Sequence, residues 1–141
     1  MKTPPEPARV LIVDDEDIYT RALRRSLLPH EVVVADDGRQ ALLLLSGDAD
    51  FDVILCDLVM PGMSGMELHD AVARAQPHLT RRMIFMTGGA FSPRALDFLA
   101  RIENLHLDKP IDLPRLRSLV VERAAARRDP GPENVGPVSR S

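Results

Sequence analysis

Short aliphatic runs recur along the chain and alternate with longer stretches in which apolar residues return every three or four positions. The runs predict strands over 9–13, 31–35, 52–56, 82–86 and 104–107. Between them, Ile18, Ala22, Leu23 and Leu27 define one helical face, and Ala41, Leu42, Leu44 and Leu45 define another on a shorter helix. A last helix is written by Leu113, Leu116, Leu119, Val120 and Ala124, with Arg115, Arg117, Arg123 and Arg127 toward water. Helix starts are marked by local chemistry. Asp37 with Gln40 and Ser64 with Glu67 have capping-box spacing, in which the first side chain accepts from an end N–H and the second reaches back. Ser92 before Pro93 is a cap followed by proline at the first helical position. Five strands in alternation with five helices call for an α/β fold, a doubly wound parallel sheet covered on both faces. Strand sequences such as Val-Leu-Ile-Val and Val-Ile-Leu-Cys are apolar throughout, as burial on both faces requires.

Composition narrows the picture further. The 141 residues make one ordinary domain, so a reading that needs a catalytic domain plus a DNA-binding domain within them is strained. Six of the 12 prolines fall in 4–7 and 130–137, so 1–8 and 128–141 are expected to be flexible tails around a folded unit over 9–127. A hydrophobic share of 45% with 28% charged residues is a globular balance, and a net charge of -3 gives no general attraction for nucleic acid or an anionic membrane. No apolar run reaches the length of a membrane span, and the start lacks the apolar stretch of a signal peptide. A single cysteine, Cys56, sits inside an apolar run as a small core side chain, which suits a reducing compartment. A cytoplasmic protein is expected.

Ligands of doubly wound sheets bind beyond the carboxyl ends of the strands. Here those ends carry Asp14-Asp15-Glu16-Asp17, Asp57, Thr87-Gly88-Gly89 and Asp108-Lys109-Pro110. Strands one and three are neighbours in such a sheet, so Asp14, Asp15 and Asp57 should converge. Two like charges at 4 Å repel by about 4 kcal/mol at an effective dielectric near 20, so three carboxylates together need a cation. An all-oxygen ligand set suits Mg²⁺, which keeps several waters and bridges readily to phosphate. A metal beside a carboxylate, a hydroxyl and an ammonium is equipment for phosphoryl transfer, with one carboxylate attacking phosphorus to give an acyl phosphate. Lys109 would neutralise phosphoryl oxygens, Thr87 could donate to one of them, and Gly88 and Gly89 would leave room for entry. Only one other lysine exists, Lys2 in the N-terminal tail.

These residues resemble the receiver domain of two-component response regulators. The resemblance covers about 9–124 and rests on four motifs: Val-Asp-Asp-Glu-Asp at 13–17, Asp-Val-Ile-Leu-Cys-Asp-Leu-Val-Met-Pro-Gly-Met-Ser-Gly at 52–65, Phe-Met-Thr-Gly-Gly at 85–89 and Asp-Lys-Pro at 108–110. It implies a CheY-like, flavodoxin-like sheet of order 2-1-3-4-5 with Asp57 as phosphoacceptor. It further implies Mg²⁺ held by Asp14, Asp15, Asp57 and the carbonyl of Val59, with Thr87 and Lys109 reading the phosphoryl group across a cis Lys109–Pro110 bond. Implied partners are a histidine kinase or phosphotransfer protein and a downstream protein on the face of helix 4, strand 5 and helix 5, with a phosphorylation-dependent homodimer as a further option. The family usually carries alanine or another small residue at position 88 and an aromatic at 106. Gly88 and His106 stand there instead, so the coupling of the Thr87 switch to position 106 departs from the usual pattern. Thr-Gly-Gly-Ala-Phe also resembles receivers attached to hybrid histidine kinases.

Each residue also has a blander reading: Asp14 or Asp15 as a helix cap, Asp57 as a turn residue, Thr87 and Lys109 as strand termini, His106 as a partly buried strand residue. A Mg²⁺-dependent aspartyl phosphatase usually places its nucleophile after the first strand with a second aspartate two residues on, whereas Asp14 and Asp15 are adjacent. A flavodoxin-like nucleotide binder would meet repulsion from 14–17, and a constitutive interaction module would not need Asp57, Thr87 and Lys109. The expectation is a phosphoacceptor signalling domain rather than an enzyme.

Overall fold

The computed structural model describes residues 6–89 and 92–128. Five strands, β1 (Arg9–Val13), β2 (Glu31–Ala35), β3 (Val53–Asp57), β4 (Met83–Thr87) and β5 (His106–Asp108), form one all-parallel sheet of order β2-β1-β3-β4-β5. Helices α1 (Asp17–Ser26), α2 (Gly38–Gly47), α3 (Gly65–Ala75), α4 (Pro93–Arg101) and α5 (Leu113–Arg128) connect and follow the strands, and a short 3₁₀ turn, Pro77–Arg82, leads into β4. The flavodoxin-like order implied by the sequence is the one observed.

Alternate strand residues feed two separate cores, the reason both faces must be covered. Leu11, Val13, Ile54, Cys56 and Phe85 pack with α2, α3 and α4 on one face. Val10, Ile12, Val53, Leu55, Ile84 and Met86 pack with α1 and α5 on the other. No helix among the described residues is long and apolar enough to cross a membrane.

Several boundaries and faces differ from expectation. Strands β3 and β4 each end one residue later than predicted, so Asp57 and Thr87 are terminal strand residues rather than loop residues. Strand β5 starts at His106, because the Asn104 amide donates to the carbonyls of Thr80 and Met83 and ties the preceding chain to the 3₁₀ turn. His106 is exposed, not partly buried, as its position on an edge strand allows. The buried stripe of α1 is Thr20 and Leu23, continued by Leu27 just past its end, while Ile18 and Ala22 face outward. Thr20 tolerates burial because its hydroxyl donates to the carbonyl of Asp17. Ser64 and Glu67 form the expected capping box, and Ser92 accepts from the Ala95 N–H. Asp37 caps α2 through the Gln40 N–H, but the Gln40 side chain accepts from Asp36 instead of from the cap residue itself.

Two arginines expected to face water also make fixed contacts: Arg127 stays exposed and Arg123 is half-buried. Arg127 pairs with Asp50 and with the buried Asp52, and Arg123 donates to the carbonyl of Arg81. Ala8, assigned to a tail, is buried and its N–H donates to His30 Nδ1. Residues 1–5 and 129–141, the bulk of both expected tails, lie outside the described residues.

Candidate functional site

The carboxyl ends of β1, β3, β4 and β5 meet because the backbone ladder runs one residue past the strands. The Asp14 N–H donates to the Ala35 carbonyl, the Leu58 N–H to Met86 and the Lys109 N–H to Thr87, at 3.1, 2.9 and 2.7 Å. Asp14, Asp57 and Lys109 are thereby held on rigid elements. One carboxylate oxygen from each of Asp14, Asp15 and Asp57 lies within 4.8 Å of the other two. Asp14 is fully buried, Asp57 is 8% exposed and Asp15 faces outward.

Lys109 Nζ enters this cluster directly, 3.0 Å from Asp14 Oδ2, 3.1 Å from Glu16 Oε1 and 3.5 Å from Asp57 Oδ2. The same Nζ lies 4.8 Å from the centre of the Tyr19 ring, and the Tyr19 hydroxyl accepts from the Ile111 N–H. Burial opposes the lysine charge, but hydrogen bonds to Asp14 and Glu16 and the charges of Asp57 and Asp14 overcome it, so the ammonium is held well above the usual lysine range. Burial and then the Asp14 charge push the Asp57 carboxyl up to about 6, against the opposing pull of Lys109 and the Val59 backbone amide. At neutral pH Asp57 is therefore mostly ionised, the form in which a carboxylate is a nucleophile.

Beside Asp57 opens a cavity of about 280 Å³ bordered by Val59, Thr87, Gly88, Ala95 and Lys109. Thr87 is buried, and its hydroxyl donates to Asp108 Oδ1 at 2.9 Å rather than into the cavity. A Cβ at Gly88 would meet nothing within 4 Å, so space at the entrance does not depend on glycine there, whereas Gly89 has a φ of 90° that favours glycine. The Lys109–Pro110 bond is cis, as the resemblance implied, and so is Leu28–Pro29. His106 lies on the edge strand and borders neither the carboxylates nor the cavity.

The donor set fits a hard divalent cation. Among the described residues, Lys109 is the one ammonium paired with Asp14, Glu16 and Asp57, and Asp15 adds a further carboxylate to the cluster. Oxygen-only ligation suits Mg²⁺. Asp14, Asp15 and Asp57 could hold it, with Val59 adjoining Asp57.

Four residues of the neighbourhood carried no role in the sequence reading: Glu16, Tyr19, Gly65 and Asp108. Gly65 had a usable signal, since it follows the Ser64 cap at the first turn of a helix adjoining Asp57. A Cβ there would collide with the Asp57 carbonyl and the Leu58 backbone. Gly65→Ala is therefore expected to destabilise the fold by about 2 kcal/mol, since backbone on both sides must shift. Thermal unfolding checks this, with Gly88→Ala, expected within about 0.5 kcal/mol of wild type, as the control.

The receiver domain model of response regulators matches residues 10–121. Response regulator protein FleR of Pseudomonas aeruginosa is 34% identical over 134 residues, covering 94% of this chain and 28% of FleR. Virulence sensor protein BvgS of Bordetella pertussis is 35% identical over 151 aligned positions, covering 97% of this chain and 12% of BvgS. The chain thus spans well under a third of either relative. The solved structure of the chemotaxis protein CheY4 of Vibrio cholerae superposes with a TM-score of 0.69 at 31% identity, covering 84% of this chain and 99% of CheY4. A CheY-like receiver from Methanospirillum hungatei, at 24% identity and a TM-score of 0.75, repeats the fold over 89% of this chain and all of its own. With the sheet order, the strand-end acidic cluster and the family match in agreement, the chain belongs to the receiver domains of two-component response regulators.

Proposed function

We propose that this receiver accepts a phosphoryl group on Asp57 in a Mg²⁺-dependent reaction and thereby changes its affinity for a protein partner. The observation that carries the reading is the approach of an ionised, buried Asp57 to Asp14, Asp15 and Lys109 beside a cavity open to a donor. Asp14, Asp15, Asp57 and the Val59 carbonyl would hold the metal, which when bound supplies positive charge to the phosphoryl oxygens. Asp57 attacks phosphorus as its bond to the donor breaks, and the electron pair of that bond leaves with the donor group. Lys109 exchanges part of its pairing with Asp14 and Glu16 for the incoming oxygens. Thr87 then turns from Asp108 to donate to the product. The chain promotes only its own phosphorylation and dephosphorylation and is not otherwise an enzyme. The adjacent Asp14 and Asp15, with the best nucleophile on β3, argue against an aspartyl phosphatase.

A histidine kinase or phosphotransfer protein is the donor in this reading, and the cytoplasm is the site of action. The face of α4, β5 and α5, where His106 is exposed, receives the downstream partner or a second phosphorylated copy, and His106 takes the position of the usual aromatic switch. Similarity to a sensor protein as well as to a response regulator supports attachment to a longer signalling protein of either kind.

The test is incubation with acetyl phosphate. One hydroxylamine-labile phosphate per chain is expected with Mg²⁺, none in EDTA and none in Asp57→Asn. Label that persists in Asp57→Asn would sink the assignment.

A further inference from the structure

Thr87 ends β4 and Asp108 ends β5, and the parallel register sets the two opposite each other, which puts both side chains on the same face of the sheet. The Thr87 hydroxyl, on a residue 2% exposed, donates to Asp108 Oδ1 at 2.9 Å. A hydroxyl has a single proton to donate. It cannot serve Asp108 and a phosphoryl oxygen on Asp57 together. The acceptor is a carboxylate oxygen, and hydrogen bonds to carboxylates are roughly twice as strong as those between neutral groups. Asp108 faces solvent, so its carboxylate is rehydrated when Thr87 leaves, which keeps the exchange reversible.

We propose that Asp108 is a positioning residue that latches Thr87 away from the phosphoacceptor and sets the threshold for switching. This rests on the phosphoacceptor reading of Asp57. Asp108 borders neither the carboxylate cluster nor the cavity, so it acts through Thr87 alone. Lys109, the next residue, instead pairs with Asp14, Glu16 and Asp57. Adjacent residues of β5 and its extension thus serve opposite ends: one holds the switch in its resting position while the other awaits the phosphoryl group. Asparagine at 108 would keep an acceptor oxygen without charge and hold Thr87 more weakly.

The experiment measures binding of beryllofluoride, a phosphoryl mimic, at saturating Mg²⁺ by calorimetry, together with the χ1 populations of Thr87 by methyl NMR in the unliganded protein. Wild type is expected to show one dominant Thr87 rotamer. Asp108→Ala should average its rotamers and bind the mimic about tenfold more tightly, which is about 1.4 kcal/mol. Asp108→Asn should fall between, near threefold, and is the milder change should the alanine variant lose folded structure. In a Thr87→Val background, Asp108→Ala should have no further effect on affinity. Unchanged affinity and rotamers in both Asp108 variants overturn the latch while leaving the phosphoacceptor reading in place. Tightening that persists in Thr87→Val also overturns it, because Asp108 would then act through its charge alone. Absence of beryllofluoride binding by wild type overturns the phosphoacceptor reading and the latch together.

Discussion

Lys109→Met should lower the rate of phosphorylation by acetyl phosphate by on the order of 100- to 1,000-fold, the usual loss when one preorganised charge stabiliser is removed from a reaction centre. The methionine keeps an unbranched apolar side chain and removes the ammonium, whose Nζ lies 4.8 Å from the centre of the Tyr19 ring. A second consequence is expected before any phosphoryl group arrives. Asp14 is fully buried and has Lys109 Nζ at 3.0 Å, with the Glu16 N–H as its other hydrogen-bond donor. Removing one partner of a buried ion pair costs about 3 kcal/mol or more, because the charge left behind has no water to replace it. Lys109→Met should therefore also unfold earlier in denaturant in EDTA. The pair with Glu16 is exposed on the carboxylate side and contributes little, so Glu16→Gln should shift the midpoint by less than about 1 kcal/mol. Near-equal stability of Lys109→Met and wild type in EDTA would mean that Lys109 does not compensate Asp14 in solution.

Asp57→Asn should move in the opposite direction. The folded protein holds the Asp57 carboxyl at about 6, against an ordinary value of 3.8, because burial and the Asp14 charge disfavour ionisation. Between roughly pH 4 and pH 6 the folded state therefore binds more protons than the unfolded state, and stability falls as pH rises through that window. The stability lost by pH 7 is on the order of 2 to 3 kcal/mol, since each pH unit of displacement corresponds to about 1.4 kcal/mol. Asparagine never ionises. In EDTA, Asp57→Asn should exceed wild type by that amount above pH 7 and converge with it near pH 4. Other groups titrate in both proteins, so the difference between the two curves is the quantity to follow. Mg²⁺ should stabilise wild type by mass action, since the unfolded chain has no assembled site, and should stabilise the variant less. A pH-independent difference between the two proteins would contradict the raised carboxyl, and an equal Mg²⁺ response would remove Asp57 from the metal set.

The chain sequence was sufficient for the alternation of five strands and five helices, because each element announces itself within a few residues. Apolar runs such as Val-Ile-Leu-Cys at 53–56 suit burial on both faces, and Ser64 with Glu67 closes its own helix start locally. The candidate site was legible for the same reason: Asp14, Asp57, Thr87 and Lys109 stand at strand ends, and a parallel sheet brings strand ends together. Individual faces were less secure. Apolar spacing alone put Ile18 on the inner stripe of α1, but Thr20 takes that stripe once its hydroxyl is satisfied within the helix. Arg127 is exposed as its place on the polar face of α5 suggests, but only docking of α5 pairs it with Asp52, 75 residues away in the chain.

Tertiary structure alone decided how the site is held at rest. The engagement of Lys109 with Asp14 and Glu16 spans 95 and 93 residues, and nothing local to either segment announces it. The Thr87–Asp108 bond depends on the register of β4 against β5, where a one-residue slip would turn one of the two side chains to the other face. Sequence determined which groups the site owns, since residue type and strand position are local properties. Which of those groups are paired, and so what must be broken before the site can act, follows from register and docking, which arise only when distant segments pack.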